Sequence, residues 1–426
     1  MKLKKVDRAG NPWVWVPSLY FTEGIPYVII ITVSVVMYKQ LGISNADIGL
    51  YTSFLYLPWV IKPIWSPFVD LNGTKRSWFL SMQLLIAIAF LTIGFTLPLS
   101  GFFVISLSLF WVAAFASATN DIASDGYYMI GLDQKQQSFF LGVRSTFYRL
   151  AAITGQGLIV IIAGFLEKRY GDNTQAWSMT MILVGGVMVI LTLFNLFTSP
   201  NTEQRPQTDE KQNFLHVFKT FFVRKQIWIV LGFILFYRLG ESQLVKMALP
   251  FLLDGNEVGG LGIDTDRVGM IYGTFGVIAL SLGGILGGVA ISRDGLGRWM
   301  LPMILALNLP NVFYVLLAVY QPASLFFVSS VVIIEQFGYG FGFAAYLMYL
   351  IYIADGIYKT SHYAIATGFM ALGMMVPGMI SGFAQELLGY TGFFIWVSVA
   401  ALPGILLVRY VYYPNDYGKK KIIENE

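Results

Sequence analysis

Asp121 and Asp125 stand four residues apart in Ser117-Ala118-Thr119-Asn120-Asp121-Ile122-Ala123-Ser124-Asp125-Gly126, inside a long apolar run. In a helix that spacing puts both carboxylates on one face. Two carboxylates in a low-dielectric site repel, so one of them tends to hold a proton. A carboxylate that gains and loses a proton can couple the movement of a solute to a proton gradient. Arg149, one apolar run further on, can neutralise either acid, in which case the same residues form a buried ion pair joining two helices. Both readings fit the spacing.

Other ionisable residues interrupt apolar runs in the same way: Glu23, Lys62, Arg238, Glu241, Lys246 and Glu335. A charge at the centre of a bilayer costs ~2.5–3.5 kcal/mol on insertion scales, so each is expected to face a cavity or a partner. Glu23 sits in Phe21-Thr22-Glu23-Gly24-Ile25-Pro26, where Gly24 and Pro26 loosen the helix, and broken helices mark substrate sites in transporters. Arg238 and Glu241 are three apart, next to Gly240, and either neutralise each other or face a cavity. Glu335 has no acidic neighbour in sequence and needs a partner from another helix. Lys62, before Pro63, either snorkels to the interface or contacts substrate. The proton-coupling candidates are thus Asp121, Asp125, Glu23, Glu241 and Glu335. Arg149, Arg238 and Lys62, with the nearby Tyr148, Tyr237, Tyr27 and Tyr20, are the cavity candidates. Aromatics make up 16% of the chain, and interfacial anchoring is the other role open to those tyrosines.

These charges carry meaning because of what surrounds them. Of 426 residues, 56% are hydrophobic and only 12% charged, about half the charged share of a soluble domain. Only a bilayer can solvate that much apolar surface. A spanning helix needs roughly 20 mostly apolar residues, and twelve runs qualify, at 13–38, 46–69, 78–98, 102–130, 138–166, 176–199, 226–253, 266–292, 299–319, 322–354, 362–387 and 390–413. The first run is long and aromatic, which argues for a retained helix rather than a cleaved signal. The fold class expected is an all-α integral membrane protein of two six-helix halves: residues 1–199, a polar cytoplasmic linker at 200–225, and residues 226–426. With both termini in the cytoplasm, nineteen Lys and Arg fall on that side and four on the other, as the positive-inside rule requires. Glu23 and Glu241 then lie on the first helix of each half, and both are expected at a central cavity.

The halves repeat. Leu41-Gly42-Ile43 followed by Ile48-Gly49-Leu50 recurs as Leu261-Gly262-Ile263 followed by Val268-Gly269-Met270, at a constant offset of 220. A duplicated six-helix unit in one orientation is the architecture of the major facilitator superfamily. Ser66-Pro67-Phe68-Val69-Asp70-Leu71-Asn72-Gly73-Thr74-Lys75-Arg76 resembles that superfamily's Gly-x-x-x-Asp-x-x-Gly motif between helices two and three, with Ser at the first Gly. The resemblance makes Asp70, Gly73, Lys75 and Arg76 a gating motif. Gly288 to Gly295 is a degenerate second copy with Ser292 at the acidic position.

Three segments narrow the resemblance. Lys62-Pro63-Ile64-Trp65-Ser66-Pro67-Phe68-Val69-Asp70, the Asp121/Asp125 segment and Tyr148-Arg149-Leu150 are similar to the AmpG-like permeases, a branch that also includes acetyl-CoA transporters. Asn120 stands where that branch has Gln, and the second half matches only in topology. The resemblance implies proton-coupled import of a muropeptide or a related amino-sugar or oligosaccharide by alternating access. Export, or transport of an acyl-CoA-type or other anionic solute, is the alternative. The partners implied are a small polar solute, protons and the lipid of an inner, cytoplasmic membrane, with the protein a monomer. Other classes fit poorly. A net charge of +4 offers no nucleic-acid footprint. The chain has no Cys, and neither His216 nor His362 adjoins a Ser/Asp constellation, so no enzyme is expected. No cofactor or metal is expected either: Gly283, Gly284, Gly287 and Gly288 are not followed by Gly-Lys-Ser/Thr and suit close helix packing instead.

Overall fold

The computed structural model describes residues 11–132, 134–201, 219–224, 226–354 and 359–419. Most of the expected linker, and His216 with it, lies outside the described residues, as does the side chain of Asp70. The chain forms two compact units, Met1–Gly42 with Leu55–Lys211, and Ile43–Phe54 with Gln212–Glu426.

Among the described residues the regular elements are helical, and ten helices are long and apolar enough to cross a membrane. The twelve expected runs are accounted for by two exceptions. Ile365–Leu407 contains two of them, joined at Gly389, whose φ of 65° ends one helix and starts the next. The expected run 46–69 is a chain of short pieces, Asn45–Asp47, Ile48–Thr52, Leu57–Ile61, Lys62–Ile64 and Ser66–Leu71. Pro58, Pro63 and Pro67 each remove a backbone donor there, so no continuous ladder forms.

In the first unit, α1 spans Pro12–Val28, α2 Lys75–Thr96, α3 Phe102–Gly131, α4 Gln134–Ile153 and α5 Asn173–Thr198. Local chemistry sets their ends. Thr74 and Ser77 form a reciprocal capping box at the start of α2, and Asp172 Oδ1 accepts from Thr174 N at 2.8 Å at the start of α5. Helix one does not break at Gly24 or Pro26. It runs through both and then widens into a π-helix at Ile29–Val33, where Pro26 has already removed one donor. Gly24 has a packing role: a Cβ there would lie 2.7 Å from Ala151 Cβ on α4.

In the second unit, α6 spans Ile227–Phe236, α7 Leu239–Leu253, α8 Val277–Asp294, α9 Leu325–Ala354 and α10 Lys359–Ala400. The expected run 226–253 is therefore broken, at Tyr237 and Arg238. Helices α8 and α9 meet at glycines, a Cβ at Gly283 falling 2.2 Å from Phe337 O and one at Gly340 1.9 Å from Leu280 O. Residues 43–54 belong to this unit although they precede the middle of the sequence. Asn45 Nδ2 donates to Gln385 Oε1 at 2.7 Å and to Tyr390 Oη at 3.0 Å, and Ala46 N donates to Glu386 Oε1 at 2.8 Å, all on α10.

The repeat is visible in the backbone. Gly42 and Gly262 both have positive φ, 79° and 61°. Helical residues begin at Asn45 and Thr265, and π-helix follows at Ile48–Thr52 and Gly269–Gly276. In each copy the first triplet lies in the connection before the second helix of its half, and the second triplet lies inside that helix. Large apolar side chains on the long helices face outward, Phe197 and Phe326 at 83% exposure and Leu387 at 85%. Lipid is the solvent that tolerates them.

Candidate functional site

The first unit gathers three carboxyl groups. Asp121 and Asp125 project from one face of α3, and Glu23 from α1, only 4% exposed. Glu23 interacts electrostatically with both aspartates, and its Oε2 has no hydrogen-bond partner among the described residues. Lys62, on the short 3₁₀ turn Lys62–Ile64, pairs with Asp121. Arg144 on α4 pairs with Asp125, Nη1 to Oδ1 at 2.8 Å. Tyr20 Oη donates to the same Asp125 oxygen at 2.9 Å, and the Arg144 guanidinium lies 4.4 Å from the Tyr20 ring centroid. Such charge-assisted contacts are about twice as strong as neutral ones.

Lys62 is therefore an ion-pair partner of Asp121, its side chain still 34% exposed. The cations seated on the aspartates are Lys62 and Arg144, while Arg149, expected in that role, is half-buried further along α4. An aromatic group adjoins the acids. Tyr27 lies edge-on to Trp59 at 5.3 Å between ring centroids, and 6.4 Å from both Tyr56 and Tyr148.

Beneath Glu23 is a layer of uncharged polar side chains that sequence reading passed over. Asn195 on α5 donates to Thr22 Oγ1 and to Gln83 Oε1, both at 3.1 Å, and accepts from Ser18 Oγ at 2.6 Å. Gln83 on α2 donates to Asn120 Oδ1 on α3 at 3.3 Å. Every partner is over 30 residues away in sequence except within α1, so only the presence of amides in apolar runs signalled it.

Around Asp70 the loop has its own fixed geometry. Gly73 adopts φ 79°, which lets the chain turn into α2. Arg76 Nε donates to Ser199 O at 2.9 Å and Nη2 to Leu196 O at 2.6 Å, capping the C-terminal end of α5. Lys75 is buried, its Nζ 3.3 Å from Val69 O. In the degenerate second copy Ser292 Oγ donates to Val289 O at 2.8 Å. The acid that makes contacts is Asp294, with Trp299 Nε1 at 3.0 Å and Arg298 Nη1 at 3.3 Å.

The second unit gathers a different set. Glu241, in the first turn of α7, is fully buried, and neither of its carboxylate oxygens has a hydrogen-bond partner among the described residues. Arg238 does not clamp it. The Arg238 guanidinium bonds the Tyr339 hydroxyl and lies 4.7 Å and 4.8 Å from the rings of Tyr339 and Phe343. Glu335, also fully buried, accepts from Tyr314 Oη at 3.3 Å and Gln336 Nε2 at 3.1 Å, and it interacts electrostatically with Glu241. The partner it needed from another helix is thus Tyr314. Tyr237 is a packing residue rather than a cavity one: it is fully buried, stacks on Tyr346 at 4.6 Å and donates to Gly342 O at 2.8 Å. Lys246 Nζ donates to Thr52 Oγ1 at 3.1 Å.

Residues 18–382 match the family model of the Major Facilitator Superfamily. The chain belongs to the major facilitator superfamily. It is a multi-pass membrane transporter of that superfamily and not an enzyme. An anhydromuropeptide permease of Escherichia coli strain K12 is 26% identical over 405 residues, covering 92% of this chain and 77% of the relative. A Rickettsia conorii protein named as transporter AmpG 4 is 26% identical over 417 residues, covering 92% and 94%. Among solved structures, the nucleoside transporter NupG, as its D323A mutant, superposes with a TM-score of 0.72 at 17% identity, covering 94% of this chain and 98% of that one. A D-xylose–proton symporter gives 0.71 at 15% identity, covering 96% and 99%. At those identities the likeness concerns the fold alone. For this major facilitator, chemistry must be argued from its own charged clusters.

Proposed function

We propose that this transporter imports a muropeptide or related amino-sugar compound across an inner membrane by alternating access, driven by protons. Glu23, Asp121 and Asp125 form the proton site. The observation that carries the reading is Glu23 itself: it is 4% exposed within a membrane-spanning helix, and its Oε2 has no hydrogen-bond partner among the described residues. A charged carboxylate so placed is costly, and a proton removes the charge, so Glu23 is a place where one binds. Lys62 and Arg144 hold the aspartates in position, so loss of that proton changes the balance of a network joining α1, α3 and α4. Arg149 and Arg238 serve cargo, and Glu241 and Glu335 are the acids available in the second unit. Asp70, Gly73, Lys75 and Arg76 act as the gating motif, through the grip of Arg76 on the end of α5.

The cargo class rests on the Escherichia coli relative, described as an anhydromuropeptide permease. The rings of Tyr27, Tyr56, Trp59 and Tyr148 near the acids suit a sugar face. The Lys and Arg bias puts both termini in the cytoplasm, and one chain suffices as the functional unit. The test is uptake of labelled anhydromuropeptide into proteoliposomes under an imposed inward proton gradient. Accumulation is expected to follow the gradient and to disappear in Asp121→Asn and in Asp125→Asn, while exchange of cargo without a gradient persists. Gradient-driven accumulation that survives in both variants overturns the proton site. Accumulation that ignores the gradient in the native protein overturns proton coupling itself.

A further inference from the structure

After the short helix Leu402–Leu407 the second unit forms a further turn, in which Tyr417 N donates to Pro414 O at 3.2 Å and Lys419 N to Asp416 O at 3.0 Å. This tail lies against the start of the helix Leu296–Asn308. The first N–H groups of a helix have no partner within it, and Gly295, at the cap position here, has no side chain to offer them. The tail supplies the cap: Leu296 N donates to Tyr417 O at 2.9 Å, and Gly297 N to Asn415 O at 3.1 Å. Glycine keeps the approach open. A Cβ at Gly295 would lie 2.3 Å from Asn415 O, and one at Gly297 2.5 Å from Asn415 Cα. The tail is seated on α8 and α9 as well: a Cβ at Gly418 would meet Met348 at 2.8 Å and Ile291 at 3.0 Å, and the Tyr417 ring lies edge-on to Tyr352 at 5.1 Å.

The first unit makes the same connection with different atoms. There Arg76, in the first turn of α2, donates to Leu196 O and Ser199 O at the end of α5. At the offset of 220, Arg76 corresponds to Leu296, and Leu196 to Asp416, which stands between the two accepting residues Asn415 and Tyr417. Leu296 has no guanidinium to reach with, and its own N–H does the donating. In each unit, then, the start of the third helix of a half is tied to carbonyls at or just past the end of that half's last helix.

We propose that Asn415 and Tyr417 form the gating clamp of the second half, doing with two backbone carbonyls what Arg76 does in the first half with its side chain. The degenerate motif from Gly288 to Gly295 carries Ser292 at the acidic position, and the tail provides the tie that this motif does not. The clamp makes the loop after α8 and the end of the last helix move as one piece. It therefore sets the rate of conversion between states and leaves cargo affinity alone. Asn415 and Tyr417 are positioning residues that touch neither cargo nor proton. The inference deepens the gating role given to Arg76 and rests on it; the proton site plays no part.

The test pairs uptake of labelled anhydromuropeptide into proteoliposomes with amide hydrogen exchange of the same proteins. Gly297→Ala pushes the tail away while keeping every tail residue, and a chain lacking residues 414–426 removes it. Each should speed exchange at Leu296 and its neighbours roughly tenfold, because a local opening replaces a tie of two hydrogen bonds. Each should also lower the maximal uptake velocity roughly tenfold, the factor that the loss of two net hydrogen bonds amounts to, with the half-saturating concentration within about twofold of native. Arg76→Met should show the same split of velocity from affinity. Gly186→Ala on α5, whose added Cβ meets nothing within 4 Å, should match the native protein in both readouts. Should the shortened chain fail to fold, Gly297→Ala decides alone. Unchanged exchange in Gly297→Ala overturns the tie. Faster exchange at native velocity, or a loss confined to affinity, overturns the clamp while leaving Arg76 its role. Native velocity in Arg76→Met overturns the gating motif itself, and the clamp with it.

Discussion

Glu241 offers the sharpest separation of stability from function. It is fully buried in the first turn of α7, and both carboxylate oxygens lack hydrogen-bond partners among the described residues. An unsatisfied buried polar atom costs ~1–3 kcal/mol. Replacing Glu241 by Met keeps the length of the side chain and removes both oxygens. A near-isosteric swap costs up to about 1.5 kcal/mol in packing, so a net gain of ~2 kcal/mol is expected for a two-oxygen penalty of ~3.5 kcal/mol, near the middle of its ~2–6 kcal/mol range. For a unit of about 200 residues that corresponds to roughly 4–8 °C in melting temperature. Glu241→Gln retains two polar atoms and should melt within a degree or two of the native protein, since it leaves the same number of groups to satisfy. The assay is thermal unfolding of the purified proteins in one detergent, paired with proteoliposome uptake. If Glu241→Met is more stable but transports poorly, the acid is held at a stability cost for use in the cycle. A melting temperature below that of the native protein would refute the reasoning, because the carboxylate would then be satisfied by contacts stronger than those it lacks here.

Two other perturbations follow from the same contacts. Lys62→Met and Asp121→Asn should each destabilise the first unit, and the double variant should lose less than the sum of the two. The coupling should be ~1–3 kcal/mol for a paired contact, read from melting of all four proteins, and a coupling near zero would mean the pair is not formed. Gly283→Ala places a Cβ 2.2 Å from Phe337 O, so the α8–α9 crossing must open at a cost of ~1–3 kcal/mol, whereas Gly288→Ala, with nothing within 4 Å, should melt like the native protein.

Much of the fold could be read from hydropathy alone, because a helix is the only single-segment way to satisfy backbone polar groups in lipid. The runs at 78–98, 102–130 and 176–199 became continuous helices close to those bounds. The run at 46–69 broke up because hydropathy cannot see three prolines acting on the ladder. The charged residues of the site were legible for the same reason that they are costly: each interrupts an apolar run. Their partners were not. Arg144 reaches Asp125 only through the packing of α4 on α3, and Tyr314 lies 21 residues from the Glu335 carboxylate it bonds. The amide layer of Asn195, Gln83 and Asn120 carries no charge and so raised no alarm, although it ties α1, α2, α3 and α5 together.

The repeat clarifies why the two units differ in chemistry. Positive φ at Gly42 and Gly262 and helix starts at Asn45 and Thr265 keep the offset of 220, and π-helix follows from Ile48 and from Gly269, one residue out of register. Side-chain chemistry does not keep it. At that offset Glu23 corresponds to Gln243, which accepts from Trp396 Nε1 at 2.9 Å and donates to Leu239 O at 3.0 Å, an amide satisfied by its neighbours. Glu241 corresponds to Phe21, and Asp121 to Phe341. The first unit sets its acids against Lys62 and Arg144, whereas the second surrounds Glu335 with hydroxyl and amide donors and places Arg238 on Tyr339. A backbone device such as a π-turn depends on glycine and helix starts, which duplication copies. A carboxylate in lipid is tolerated only where a particular partner reaches it. Each half therefore had to solve its buried charge separately, and the first half solved it with ion pairs that a change of protonation can rearrange.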